Sequence, residues 1–361
     1  MHSRDTILSL FPDEGPSPIE RGQRGRHKDA RSSVSPFQDL TTHDIQDIFY
    51  RPEYQEVIAT AAFERLKEIR FLGAIDYLIT PNGSGRRRRH TRYQHSLRVG
   101  QLALQYARQR DLNEHDERLL VIAGLLHDAG HAPLSHSLEP SFVERFGMTH
   151  HSVSAMIIHG TVPLGSALPR IFKRYRISGD DVLALVEGES KAPYGEAFKN
   201  PINLDTIEAI TRSYTYIEPD RIALAPETVV NALLLRNAND VDVLDQFWQL
   251  KDLVYNKLIN NKVGILADYI CRKYMQDNPL SFWKGSFLQT EPTFRRQHGK
   301  LFESLRAVKM RARDTLSSNC VKIAFQRRRF TVDNSVSITS IQDLHKRYRQ
   351  SKVAEVISIC N

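Results

Sequence analysis

The stretch LLHDAGHAPLSH, residues 125–136, sets three histidines and an aspartate directly behind an apolar run. Five of the 14 histidines, His127, His131, His136, His150 and His151, crowd into residues 127–151. Neutral imidazole is the commonest metal ligand, and its ordinary pKa near 6.5 also suits proton transfer at neutral pH. Histidines that cap helix ends or stand half exposed are the plainer alternative. His127 and Asp128 adjoin at the end of a segment made otherwise of Leu, Val, Ile and Ala. A carboxylate there is unfavourable unless a cation or a hydrogen-bond network satisfies it. A divalent cation would do so, with further ligands from elsewhere in the chain. His95 is the nearest candidate, and Asp205, in NPINLDTIEAI, again places an acid on the apolar side of a helix.

These residues must be positioned by helices. FERLKEIRFLGAI (63–75) repeats Phe63, Leu66, Ile69, Leu72 and Ile75 every three residues, approximating one helix face. ITPNGSGRRRRHTR is a turn and loop by its Pro, Asn and Gly content. SLRVGQLALQYARQR (96–110) and DERLLVIAGLLHDAG (116–130) predict two helices, the second apolar nearly all round and therefore buried. Helical patterns continue through 180–188, 204–214 and 226–275. β-branched residues alternate with polar ones only late, in VKIAFQRRRFTV (321–332) and SVSITSI (335–341), which predict strands. The fold expected is all-α, with a small mixed α/β basic C-terminal region and no internal repeat.

At 361 residues and 41% hydrophobic, the chain can bury a substantial core without staples. Residues 1–38 mix Pro, Gly, Ser and Arg and are expected to form a flexible tail. The expected domains are that tail, a helical domain over 39–275 and a basic appendage over 276–361. The three cysteines, Cys271, Cys320 and Cys360, are odd in number and lack any CxxC pairing, which excludes a disulfide framework and a thiolate zinc knuckle. A reducing, cytoplasmic setting is expected, and no apolar run is long enough for a membrane helix. The net charge of +8 resides in residues 285–361, which hold 15 Lys and Arg against 6 Asp and Glu. An anion-binding surface, for nucleic acid or a regulatory nucleotide, belongs there if anywhere.

The order H, then HD, then D on separate helices resembles the HD phosphohydrolase superfamily. FERLKEIRFLGA, TRYQHSL, HDAGHAPLSHSLE, THHSVSAMI, INLDTIEAITRS and LKDLVYNKLINNKVGILADYI narrow the resemblance to its deoxynucleoside triphosphate triphosphohydrolase branch, over roughly residues 40–275. The resemblance implies that His95, His127, Asp128 and Asp205 hold one divalent metal ion (Mn, Fe, Co, Ni, Zn or Mg). It places His131, His136, Glu139 and His150 around the reaction centre, with Glu139 raising the basicity of a histidine partner. His150 and His151 compete for one role, and Ser154, four residues after His150, favours His150. Arg92 matches a phosphate-contacting arginine, and Tyr255 and Lys262 fall where residues surround the sugar and phosphates. Arg86 to Arg89 are either a solvated loop or a phosphate or nucleic-acid contact.

The chain departs from the branch after Asp205. Thr206 and Ala209 replace a basic residue and a tyrosine, Ser213 replaces an aspartate after Arg212, and Glu208 stands for another aspartate. The expected activity is hydrolysis of a deoxynucleoside triphosphate to deoxynucleoside and triphosphate by a homo-oligomer. The rivals are a phosphodiesterase or nucleotidase acting on another nucleotide, and a nucleic-acid-binding or nucleotide-sensing protein working through its basic C-terminal segment.

Overall fold

Two short helices, α1 (Pro52–Ile58) and α2 (Ala61–Arg65), open the described part of the computed structural model, which comprises residues 50–78, 90–218, 221, 224–237, 239–311 and 320–360. The expected tail over 1–38 and the Arg86 to Arg89 run lie outside the described residues. Residues 63–75 are not the single helix their spacing suggests. α2 ends at Arg65, Leu66–Glu68 is a 3₁₀ turn, and Arg70 forms an isolated bridge with Thr91. The carbonyl of Ile69 and the N–H of Phe71 are taken by Arg92 and His90, so no helix continues there. A three-residue repeat is the 3₁₀ period as much as the edge of an α period.

Helix α3 (Arg92–Gln109) starts at a capping box, in which the Thr91 hydroxyl accepts from Gln94 N and the Gln94 side chain accepts from Thr91 N. Helix α4 (Glu114–Leu126) starts at Asn113 and buries every residue from Leu119 to Leu126. The two run antiparallel with two glycines face to face: a Cβ at Gly124 would lie 3.1 Å from Gly100 Cα. That close approach sets His95, five residues before Gly100, beside His127, which follows the last turn of α4.

Helix α5 (Glu139–Phe146) stops at Gly147, whose φ of 65° is the left-handed conformation that favours glycine. Helix α6 (His150–Ile158) begins at a second capping box, Thr149 with Ser152. Helix α7 (Leu204–Ile217) is capped by Asn203 and Thr206, which fixes Asp205 in its first turn. Helix α8 (Asn239–Val254) runs into a π turn, Tyr255–Ile259, and then α9 (Lys262–Asp277). Farther on, Phe282, Phe287 and Phe294 form an aromatic cluster with Phe142 and Tyr274.

The architecture is mainly helical, as expected, and among the described residues it has one small sheet, β1 (Cys320–Val332) paired antiparallel with β2 (Tyr348–Cys360). The register runs from Cys320↔Cys360 to Val332↔Tyr348. SVSITSI is not a strand. Asp343 accepts from the N–H groups of Thr339 and Ser340, and Asp333 accepts from Ser335, so this segment is held by side-chain caps instead of a ladder. Among the described residues no helix is long and apolar enough to cross a membrane.

Candidate functional site

Three elements meet at His95. From α3, His95 Nε2 lies 3.0 Å from Asp205 Oδ1 on α7 and 3.1 Å from His127 Nε2 after α4. Each ring uses its other nitrogen: His95 Nδ1 is held by Glu208, and His127 Nδ1 donates to the Gly124 carbonyl at 2.8 Å. Both Nε2 lone pairs therefore face one point, an arrangement that repels unless a cation lies there. Asp128 stands against the pair, with Oδ2 3.5 Å from His95 Nε2 and Oδ1 3.5 Å from His127 Nε2. His95 is 1% exposed, whereas the Asp205 side chain is 42% exposed and forms the open edge.

The electrostatics call for positive charge. Burial alone would lower His95, but Glu208, Asp205 and Asp128 outweigh it and raise the ring to about 9. His127 is raised too, as Asp128 and Asp205 overcome its burial. Burial would raise Asp128, yet Arg92, His127 and His131 hold it well below the usual carboxylate range. Asp205 is held down in the same way by His127 and His95. Two imidazoles and a carboxylate with ligand atoms within 4.8 Å of one another, oriented by outer partners, fit a divalent transition metal.

A second cluster adjoins through Asp128. His131 Nε2 lies 3.0 Å from Asp128 Oδ1, and the His131 ring stacks on His150 at 4.4 Å and 9°. His136 meets His131 edge-on at 4.7 Å. Glu139 joins the other two rings, with Oε2 3.0 Å from His136 Nδ1 and Oε1 2.6 Å from His150 Nδ1. It also accepts from His150 N at 2.8 Å. His136 and His150 each keep Nε2, and His131 Nδ1 is buried without a hydrogen-bond partner among the described residues. Burial pushes His131 well below its usual value, aided by Arg92 and His150. Burial likewise lowers His136. Glu139 would be raised by its burial, but His136 and His150 hold it low and ionised. The result is two imidazoles, His131 and His136, biased toward the neutral form beside a cation-seeking centre.

The bend between the two clusters follows Ala132–Pro133. Leu134 and Ser135 take φ of 59° and 46°, a left-handed pair that Glu291 holds by accepting from Leu134 N at 3.3 Å. Arg65, itself buried, donates to the carbonyls of Ala129, His131 and Gln289 at 2.9, 2.6 and 3.0 Å. Gly130 lets α6 close in, because a Cβ there would lie 2.1 Å from the His150 carbonyl oxygen.

His150, not His151, faces the cluster, while His151 is exposed beside it with ring centroids 4.1 Å apart. Arg92 is buried and donates to Asp128 at 2.7 Å, Ser135 Oγ at 3.2 Å and the Phe71 carbonyl at 3.1 Å. Those bonds use three of its five N–H groups and tie the Ser135 turn to Asp128. Tyr255 opens the π turn, where its hydroxyl accepts from Arg328 at 3.3 Å. Lys262 is exposed at the first turn of α9, apart from these clusters in sequence and in its contacts.

Glu208, which the sequence shows only as a replacement for an aspartate of the branch, has a role at the site that the sequence does not reveal. It is 1% exposed, holds His95 Nδ1, and is held in turn by Arg212 Nε at 2.9 and 3.1 Å. Arg212 continues to His90 Nδ1 at 2.9 Å. The signal is the spacing Asp205, Glu208, Arg212 on one side of α7, in steps of three and four residues.

The HD domain family model matches residues 92–225. The deoxynucleoside triphosphate triphosphohydrolase SAMHD1 of Bos taurus is 31% identical over 167 residues, 42% of this chain and 27% of that protein. The SAMHD1 homologue of Dictyostelium discoideum is 33% identical over 220 residues, 57% of this chain and 40% of that protein. The uncharacterized MG461 homologue of Mycoplasma pneumoniae is 34% identical over 141 residues, 37% of this chain and 30% of that protein. The chain thus spans less than half the length of each of these relatives. Residues 92–225 thus match the HD domain model, and the chain resembles the deoxynucleoside triphosphate triphosphohydrolase branch of the HD phosphohydrolases.

Proposed function

We propose that the protein is a metal-dependent nucleotide phosphohydrolase, and specifically one that splits a deoxynucleoside triphosphate into deoxynucleoside and triphosphate. The observation that carries this reading is the pair of Nε2 atoms 3.1 Å apart, flanked by Asp205 and backed by a row of histidines that shares Asp128. His95, His127 and Asp205 would hold the ion, with Asp128 adjoining. A divalent cation there supplies Lewis-acid polarisation of a phosphate oxygen and acidifies a water.

The chain's own residues then handle the protons. Glu139 stays ionised and keeps Nδ1–H on His136 and His150, leaving each Nε2 to take a proton from the attacking water and return it to the leaving 5′-oxygen. General acid–base help of this kind is worth about 10²–10⁴ in rate. His131 donates to Asp128 and so couples this row to the metal ligands. Arg92 holds the loop and offers its remaining N–H groups to a phosphate oxygen. Lys262, exposed at the start of α9, would reach the phosphates or sugar only with the substrate bound.

A phosphodiesterase or nucleotidase is the second reading. It is favoured by Thr206, whose hydroxyl is taken up in the cap of α7 by accepting from Asn203 N at 3.1 Å, and by Ala209, which offers no aromatic face to a sugar. Incubation with deoxynucleotides, ribonucleotides and cyclic nucleotides under Mn, Co and Mg, with products resolved, separates the two. Tripolyphosphate supports the first, and orthophosphate or a nucleoside monophosphate supports the second. Homo-oligomeric assembly, and a regulatory nucleotide or nucleic acid on the basic C-terminal segment, complete the proposal.

A further inference from the structure

Strand alternation divides the arginine run of β1. Arg327 and Arg329 lie on one face and both pair with Glu355 of β2, at 2.8 and 3.5 Å. Arg328 shares the opposite face with Phe330, is exposed, and donates Nη1 to Tyr255 Oη at 3.3 Å. The strand is pinned in this register by α8 and the π turn. Asn260 donates to the Arg328 carbonyl at 2.7 Å and accepts from Arg328 N at 3.4 Å. Asp252 accepts from Phe330 N, and Trp248 Nε1 donates to the Thr331 carbonyl, each at 3.1 Å.

Next to this face sits Lys251, one helical turn before Tyr255. It is 6% exposed, its Nζ is 3.4 Å from the Pro201 carbonyl, and it lies 5.0 Å from the ring of Phe330. Pro201 precedes Asp205 by four residues, so this ammonium adjoins the open edge of the metal centre. Among the described residues neither Lys251 nor Arg328 has a carboxylate within ion-pair distance. Burial lowers Lys251 to about 8 despite Asp205, and Arg328 adds to the lowering. Arg328 also acts on Asp268, which hydrogen-bonds Ser137, the residue after His136. The hydrogen bond to Tyr255, one helical turn after Lys251, keeps the guanidinium on the Lys251 side of the π turn.

Lys251 is a buried ammonium with no ion-paired carboxylate among the described residues, which favours an anion beside it, and Arg328 presents an exposed guanidinium, held by Tyr255, on the same side. The planar guanidinium suits phosphate oxygens. We propose that Arg328, carried by the C-terminal hairpin with Lys251 beside it, binds the phosphate tail of the substrate, so that the site selects polyphosphorylated nucleotides over monoesters. This rests on the reading of the HD centre as a nucleotide phosphohydrolase.

Titration calorimetry of the full-length, Mn-loaded protein with inorganic tripolyphosphate and with orthophosphate tests it without turnover. The expected result is tighter binding of tripolyphosphate, a loss of about tenfold or more in Arg328→Ala, and partial recovery in Arg328→Lys. Arg327→Ala controls for the hairpin and for general positive charge, and should stay near wild type. Tripolyphosphate affinity unchanged in Arg328→Ala, or an equal loss in Arg327→Ala, overturns the proposal. A protein that binds tripolyphosphate through Arg328 but hydrolyses no nucleotide would instead count against the function proposed above.

Discussion

His95 Nε2 and His127 Nε2 lie 3.1 Å apart, each ring with its Nδ1 already committed, one to Glu208 and one to the Gly124 carbonyl. Glu208 is thus the carboxylate that turns His95 toward the ion. Replacing it with Gln keeps the size and removes the charge. Metal affinity in Glu208→Gln, read by competition with a chromogenic chelator, should fall about 10–100-fold. An affinity equal to wild type would leave Glu208 a merely structural partner of Arg212.

Gly130 sets the distance between the two histidine clusters. A Cβ there would meet the His150 carbonyl oxygen at 2.1 Å and Ser154 N at 2.5 Å, so α6 must move away. Gly130→Ala should destabilise the fold by about 2–4 kcal/mol in urea unfolding. Hydrolysis should drop further than stability alone explains, because His150 leaves its stack on His131. Wild-type turnover in this variant would contradict the placement of His150.

Arg65 is a buried cation surrounded by three backbone carbonyls, those of Ala129, His131 and Gln289. Burial lowers it to about 10, so it remains charged at neutral pH. Arg65→Ala strands those carbonyls and should lower stability by about 3 kcal/mol or more. Metal binding should weaken with it, since Ala129 and His131 bracket the loop after Asp128. Denaturant titration and metal content, measured on the same sample, check both parts.

Asp268 provides a test in pH. Burial raises its carboxyl from 3.8 to about 6, against the lowering effects of Ser137, Arg272 and Arg328. A raised folded-state pKa means the folded protein holds this proton more tightly than the unfolded chain. Its stabilising contribution is therefore complete below pH 3.8 and is lost as the pH rises through about 6. Asp268→Asn should flatten that part of the stability profile and gain stability above it. If thermal unfolding of the variant keeps the wild-type slope between those values, Asp268 is not the group responsible.

How much of this could be read in the sequence depends on where each partner lies. His127 and Asp128 stand out because a charged pair ends an apolar run, and Asp205 because an acid sits among Leu204, Ile207 and Ile210. Glu208 was concealed because an acid three residues along a helix looks like a solvated charge until α3 is packed against it. Arg65 was hidden for a different reason: its partners are carbonyls of loops distant in the chain, and no side-chain pattern records them. SVSITSI has the alternation of a strand, but Asp333 and Asp343 cap its backbone. The true partner of β1 lies later, where Lys352 and Glu355 interrupt the apolar pattern. Arg328 reads in the sequence only as charge, since strand register alone decides which of three adjacent arginines turns toward Tyr255.

The central claim is that water attacks the α-phosphorus of a nucleotide held at His95, His127 and Asp205. Phosphorus NMR of a deoxynucleoside triphosphate turned over in ¹⁸O-enriched water by the Mn-loaded protein tests it most directly. The account predicts tripolyphosphate with the label on one terminal phosphorus and an unlabelled deoxynucleoside. Labelled orthophosphate, a nucleoside monophosphate, or label in the deoxynucleoside would contradict it.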